Sequence, residues 1–284
     1  VPSLTSPAAW PIEPPFYALV VAATLYWLGG RRRVSGPHGH EQAGRTLAFS
    51  LGLFAILVAV DSPLDPLADK LFAAHMAQHV LLLSVAPPLI VVSAPWMRLW
   101  QPLPLRVRRA VARTLALSPR TRWLRRSAHA IAHPLSAWLL ASATLVAWHL
   151  PALYDLTLRN DAVHQLEHGL FFATALLFWG AVIDSPPFRS RLSWLWRGAF
   201  VLSGMLVGWV LAVVLAFARS PLYAAYATLS HRPGGLSALS DQAIAAGVMW
   251  VPGSLAYSIA FVVFAYRWLG PAPTRRPALR GAHS

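Results

Sequence analysis

Two short runs carry the same arrangement of donors: HMAQH at residues 75–79 and HQLEH at 164–168 each place two histidines four positions apart. On an α-helix that spacing sets both imidazoles on one face, about one turn apart. One metal ion needs that separation from two ring nitrogens, and a second pair from a facing helix completes a site. Glu167 adjoins His168, as a further ligand or as the acceptor that holds an imidazole N–H. His149 in AWHLP and Asp241 in LSDQ extend the candidate set, and Met76 and Met249 are the nearby thioethers. There is no cysteine among the 284 residues, so thiolate ligands, disulfides and thiol nucleophiles are excluded.

The elements that must position these groups are membrane helices. The chain is 56% hydrophobic and 12% charged, with a mean hydropathy of +0.51, which reads as an all-α integral membrane protein. Seven apolar stretches are long enough to cross a bilayer, at about 15–29, 46–60, 70–94, 130–149, 163–183, 197–218 and 240–268. They form one transmembrane helical domain. Of 24 Lys and Arg residues, all but Lys70, Arg159, Arg219 and Arg232 fall in alternate connections, which predicts an outside N-terminus and a cytoplasmic C-terminus. The net charge of +14 therefore follows membrane topology, and no aromatic-interleaved basic surface points to nucleic acid. The opening VPSLTSPAAWPIEPP lacks the positive n-region of a cleavable signal, so none is expected.

This orientation gathers the donors. His75 and His79 open the third span from outside, His149 closes the fourth, His164 and His168 open the fifth, and Asp241 opens the seventh. Four helices thus bring them to one depth, within about two turns of the outer surface. A single such pair also arises where helix-end histidines merely bond a carbonyl or interfacial water; two pairs at matching depth weigh against that. Asp241 and Glu167 divide between ligand and support, and methionine often only fills core gaps. His38, His40, His129, His133, His231 and His283 read as interfacial or solvated, with His231 on the same side as the cluster.

Other features read as architecture. Residues 95–129 alternate arginine with Leu, Val and Trp, as an interfacial amphipathic helix or a basic loop would. Gly204 and Gly208 have the spacing for close helix packing. Pro87 with Pro88, and Pro252 with Gly253, predict kinks in spans three and seven. Tryptophans 27, 96, 100, 194, 196 and 268 fit an anchoring belt at the inner lipid interface.

The run DSPLDPLADKLFAAHMAQHVLLLSVAPPLIVVSAP, followed in order by WHLPALYD, HQLEHGLFFATALLFWGAVIDSP and DQAIAAGVMWVPG, resembles the signature of the multi-spanning CtaG-type cytochrome c oxidase assembly factors. The resemblance implies a multi-pass protein of the bacterial plasma membrane, needed to mature a haem-copper oxidase, with oxidase subunits and copper chaperones as partners. It carries over His75, Met76, His79, His149, His164, Glu167, His168, Asp241 and Met249 as the functional set.

The resulting expectation is a non-enzymatic assembly factor that binds copper at a shallow, outer-facing site and aids its insertion. The alternatives are a zinc-dependent membrane hydrolase with Glu167 or Asp241 as base, a haem electron carrier with axial histidines, and a scaffold whose histidines only hold the bundle. The sequence sets no oligomeric state.

Overall fold

The computed structural model describes residues 14–30 and 38–270; the opening stretch, Arg31 to Arg33 and His283 lie outside the described residues. Among the described residues a helix lies on each of the expected stretches, though not each is long enough to span: α1 (Pro14–Gly29), α2 (His38–Val60), α3 (Phe72–Ser93), α4 (Pro134–Trp148), α5 (Asp161–Val182), α6 (Trp194–Phe217) and α7 (Ala238–Leu269). α2 starts earlier than hydropathy indicates, because His38 and His40 are already in its first turn.

Four helices are long and apolar enough to cross a membrane, Gly39–Val60, Phe72–Ser93, Trp194–Phe217 and Ala238–Leu269. A fifth span results if Pro119–Ile131 and Pro134–Trp148, bent by 74° at their junction, are counted together. Length and composition thus mark a membrane protein with four to five such spans among the described residues. α1 is only 16 residues long. α5 has the length, at 22 residues, but its first half carries His164, Glu167 and His168.

The helices alternate in direction. Asp241 at the start of α7 accepts from the first backbone N–H groups of α3, Gln242 bonds the Leu215 carbonyl near the end of α6, and Gln78 near the start of α3 bonds the Ala59 carbonyl near the end of α2. α3, α5 and α7 therefore begin at the end of the bundle where α2, α4 and α6 finish.

The proline pair in α3 produces a wide turn rather than a simple kink. Leu81–Val85 is π-helical, and Pro87 and Pro88 open the next α-helical segment, Ala86–Ser93. Pro87 has no N–H for the carbonyl of Leu83; the Trp179 indole of α5 donates to it instead, at 3.0 Å. α7 runs as one helix through Pro252. Gly204 of α6 allows a close approach, since a Cβ there would lie 2.6 Å from the Phe178 ring; Gly208 meets nothing within 4 Å. The expected 95–129 helix is broken at Ser118 and Pro119: Leu105–Val111 runs into a π-turn, and a separate helix, Arg122–Ile131, follows.

Candidate metal centre

α3 and α5 turn their polar faces toward each other. The rings of His75 and His79 are 4.5 Å apart, those of His164 and His168 4.2 Å, and His75 lies 4.9 Å from His164 across the helix pair. Glu167 sits between the first two: its Oε2 is 3.4 Å from His75 Nε2 and its Oε1 3.5 Å from His79 Nε2. One donor atom from each of His75, His79, Glu167 and His168 falls within 4.8 Å of the others, and all four residues are buried.

The tautomer of His75 follows from its neighbour. The Tyr226 hydroxyl donates to the Ala68 carbonyl at 2.5 Å, so toward His75 Nδ1, 3.3 Å away, its oxygen accepts. His75 then carries a proton on Nδ1 and turns Nε2, which has no hydrogen-bond partner, toward the Glu167 carboxylate. A positive charge between the two, a proton on Nε2 or a metal ion, makes that approach favourable. His149 repeats this polarity: its Nδ1 donates to the Leu145 carbonyl at 2.8 Å, leaving Nε2 buried without a partner. Both nitrogens of His79 and His168, and both Glu167 oxygens, also lack hydrogen-bond partners. The Glu167 separations are those of ion pairs and do not have hydrogen-bond geometry. Leaving so many buried polar atoms unpaired costs about 1–3 kcal/mol each, more for a charge.

The donors fit a cation. Nitrogen or oxygen ligands about 2.0–2.2 Å from a first-row ion lie at most about 4.4 Å apart, so the four need only a small inward adjustment. His75, His79 and His168 supply imidazole and Glu167 supplies carboxylate, a set suited to divalent copper or zinc.

The other expected residues are placed differently. His164 lies beside the cluster and is half-buried. His149 is the C-cap of α4, its ring 6.0 Å from His79. Asp241 is not among the gathered donors: its two oxygens accept from Phe72 N–H at 2.8 Å and Ala73 N–H at 3.0 Å, capping α3. Met76 is buried in an apolar cluster with Phe72, Tyr154 and Tyr223. Met249 packs against that cluster and, with His79 and His149, lines a cavity of about 70 Å³. His231 is exposed in the loop before α7.

The site is roofed rather than shallow, because two connections fold over it. Tyr154, from the short helix Pro151–Thr157, lies 5.0 Å ring to ring from His75. Tyr223 and Tyr226 come from the loop between α6 and α7, where Arg232 donates to the Tyr226 carbonyl. Burial raises the Tyr154 and Tyr226 phenols well above their ordinary range, so Tyr226 keeps the proton that orients His75. Spacing gave no sign of these tyrosines; for Tyr223 and Tyr226 the available signal was the aromatic character of PLYAAYATL, unusual in a solvated loop.

Residues 24–270 match the model of a family described as the cytochrome c oxidase caa3 assembly factor. The chain is also similar to uncharacterised proteins of Mycobacterium leprae, at 23% identity over 91% of this chain and 39% of the relative, and of Mycobacterium bovis, at 23% identity over 79% of this chain and 34% of the relative. It thus spans little more than a third of the length of these curated relatives. No solved structure matches it.

Proposed function

The chain belongs to the cytochrome c oxidase caa3 assembly factor family, and from that premise we propose that it binds copper at the His75, His79, Glu167 and His168 cluster and aids its insertion into the oxidase. The family's description as an assembly factor supports a non-enzymatic role in oxidase assembly. The observation that carries the copper reading is the buried group of three imidazoles around the Glu167 carboxylate, with His75 Nε2, both nitrogens of His79 and His168 and both carboxylate oxygens lacking hydrogen-bond partners. Imidazole and carboxylate bind divalent copper more tightly than divalent zinc, in line with the general affinity order. A macrocycle would not fit between rings 4.2–6.0 Å apart beside a cavity of about 70 Å³, so an ion suits the space better than haem.

In this reading all seven helices cross the plasma membrane, with the N-terminus outside and the C-terminus cytoplasmic. The segregation of arginine toward the end opposite the histidines supports it. The cluster then faces the compartment through which copper reaches the oxidase. Half-buried His164 at its rim offers a first ligand to an arriving ion, and oxidase subunits or a copper chaperone are the partners that give or take it.

The test is metal analysis of the purified protein and of a His75→Ala/His79→Ala variant, together with the copper content of oxidase assembled in the same cells. Copper bound by the parent, absent from the variant and depleted from the oxidase is the expected result. Equal metal content in parent and variant would remove the cluster from consideration.

A further inference from the structure

At the end of the bundle away from the histidines, a cleft of about 610 Å³ opens between the helix Arg122–Ile131, the last turns of α5 and the loop joining α5 to α6. Its inner wall is apolar, with Leu176, Leu177 and Ala181; its rim is basic, with Arg125, Arg189 and Arg191. The loop is fixed in place. Ser185 donates to the Val91 carbonyl at 2.6 Å and accepts from the Trp96 indole at 2.8 Å, and Ser190 donates to the Ala181 carbonyl at 2.6 Å.

Among the described residues, the carboxylate that Arg189 feels, Asp184, is already held by Arg197. Among the described residues the carboxylates at this end are Glu41, paired with Arg45 at 2.7 Å, and Asp184, held by both terminal nitrogens of Arg197 at 2.9 and 3.1 Å. Arg125 is occupied by the carbonyls of Leu115 and Ser118 and the Thr121 hydroxyl. Arg189 and Arg191 are exposed on the rim.

We propose that this cleft holds an anionic phospholipid, its phosphate bound by Arg189 and Arg191 and its acyl chains lying on Leu176 and Leu177. Guanidinium groups bind phosphate through paired, charge-assisted hydrogen bonds. The apolar wall beside them matches an acyl chain and has no use for a free anion. A choline headgroup would bring its quaternary ammonium toward the arginines, so a net-negative lipid is selected. Arg122–Ile131, which turns away from α4 and has apolar Trp123 and Ile131 exposed, is the element such a lipid would fasten to the bundle.

The experiment uses the full chain in neutral detergent, with bound lipid measured by native mass spectrometry after exposure to equal amounts of phosphatidylglycerol and phosphatidylcholine. Phosphatidylglycerol should be retained in preference by about tenfold or more. An Arg189→Gln/Arg191→Gln variant should lose that preference, Arg189→Lys/Arg191→Lys should keep part of it, and a sharp monodisperse peak shows that each variant is folded. Equal retention of the two lipids, or an unchanged preference in the glutamine variant, would overturn the proposal. So would displacement of the lipid by millimolar inorganic phosphate, which would mark a site for the free anion.

Discussion

The two His-x-x-x-His pairs have the same spacing and face each other across α3 and α5, yet the structure treats them differently. His75 is held by Tyr226 through Nδ1, and His79 packs against Phe171 at 4.6 Å. On the other helix His164 is half-buried at the rim, whereas His168, like His79, is buried with neither ring nitrogen hydrogen-bonded. Equal spacing therefore produces one pair anchored through His75 by Tyr226 and one that reaches the rim through His164. An ion that must be both gripped and released needs each kind.

The largest effect should come from destroying the anchored pair's anion. Glu167→Gln keeps the size of the side chain but removes the negative charge between His75 and His79. Copper binding, measured by competition with a chelator, should weaken by well over the ~10–100-fold typical of losing an outer support. If Glu167→Gln binds as tightly as the parent, Glu167 is no ligand and the three imidazoles act alone.

Tyr226→Phe asks whether orientation matters as the comparison implies. It keeps the ring, drops the hydroxyl and frees His75 to take the other tautomer. Affinity should fall by about 10–100-fold with stoichiometry unchanged. The His164→Gln variant, altering the second pair at the rim, should change affinity less and slow copper uptake more. A His164→Gln loss larger than that of Tyr226→Phe would show that the rim histidine, and not the Tyr226 anchor, sets the affinity.

The pairs themselves were readable in sequence because helical spacing is local, and the helix positions were readable because each apolar run is continuous. What surrounds the pairs was not. The capping of α3 by Asp241 joins groups 169 residues apart in sequence, and an aspartate at a helix start reads equally well as ligand or cap. Tyr226 reaches His75 from a loop whose path depends on the packing of α6 and α7. The cluster was expected near the surface because depth was counted along the helices alone, which takes no account of connections folded across their ends. Pro87 was a recognisable disruption, but the answer to it, the Trp179 indole, belongs to another helix.

Asp241 provides the next test, on stability rather than on metal. Asp241→Ala removes both acceptors from the first turn of α3 and should destabilise the fold by about 0.5–2 kcal/mol, the usual range for losing a helix cap. Asp241→Asn should cost less, since one oxygen remains. Copper stoichiometry should stay at the parent value in both. A variant that is stable but has lost its copper would return Asp241 to the ligand set.

The smallest effect contrasts Glu167 with a carboxylate that has its partners in place. Asp184 is partly exposed, and burial alone would raise its pKa, but the Arg197 fork and the Ser190 N–H outweigh burial and lower it below the ordinary carboxylate range. A depressed folded-state pKa means that the unfolded chain takes up the proton first as pH falls. The stabilisation is thus present in full above the unfolded value and is lost as pH drops through the folded one. Melting temperatures of the parent and Asp184→Asn should differ by a small constant amount at neutral and mildly acidic pH, and converge below about pH 4. A gap that closes near neutral pH would show that another group is titrating. Because Arg197 reaches Asp184 at the end of the bundle away from the histidines, the same convergence should appear with and without copper.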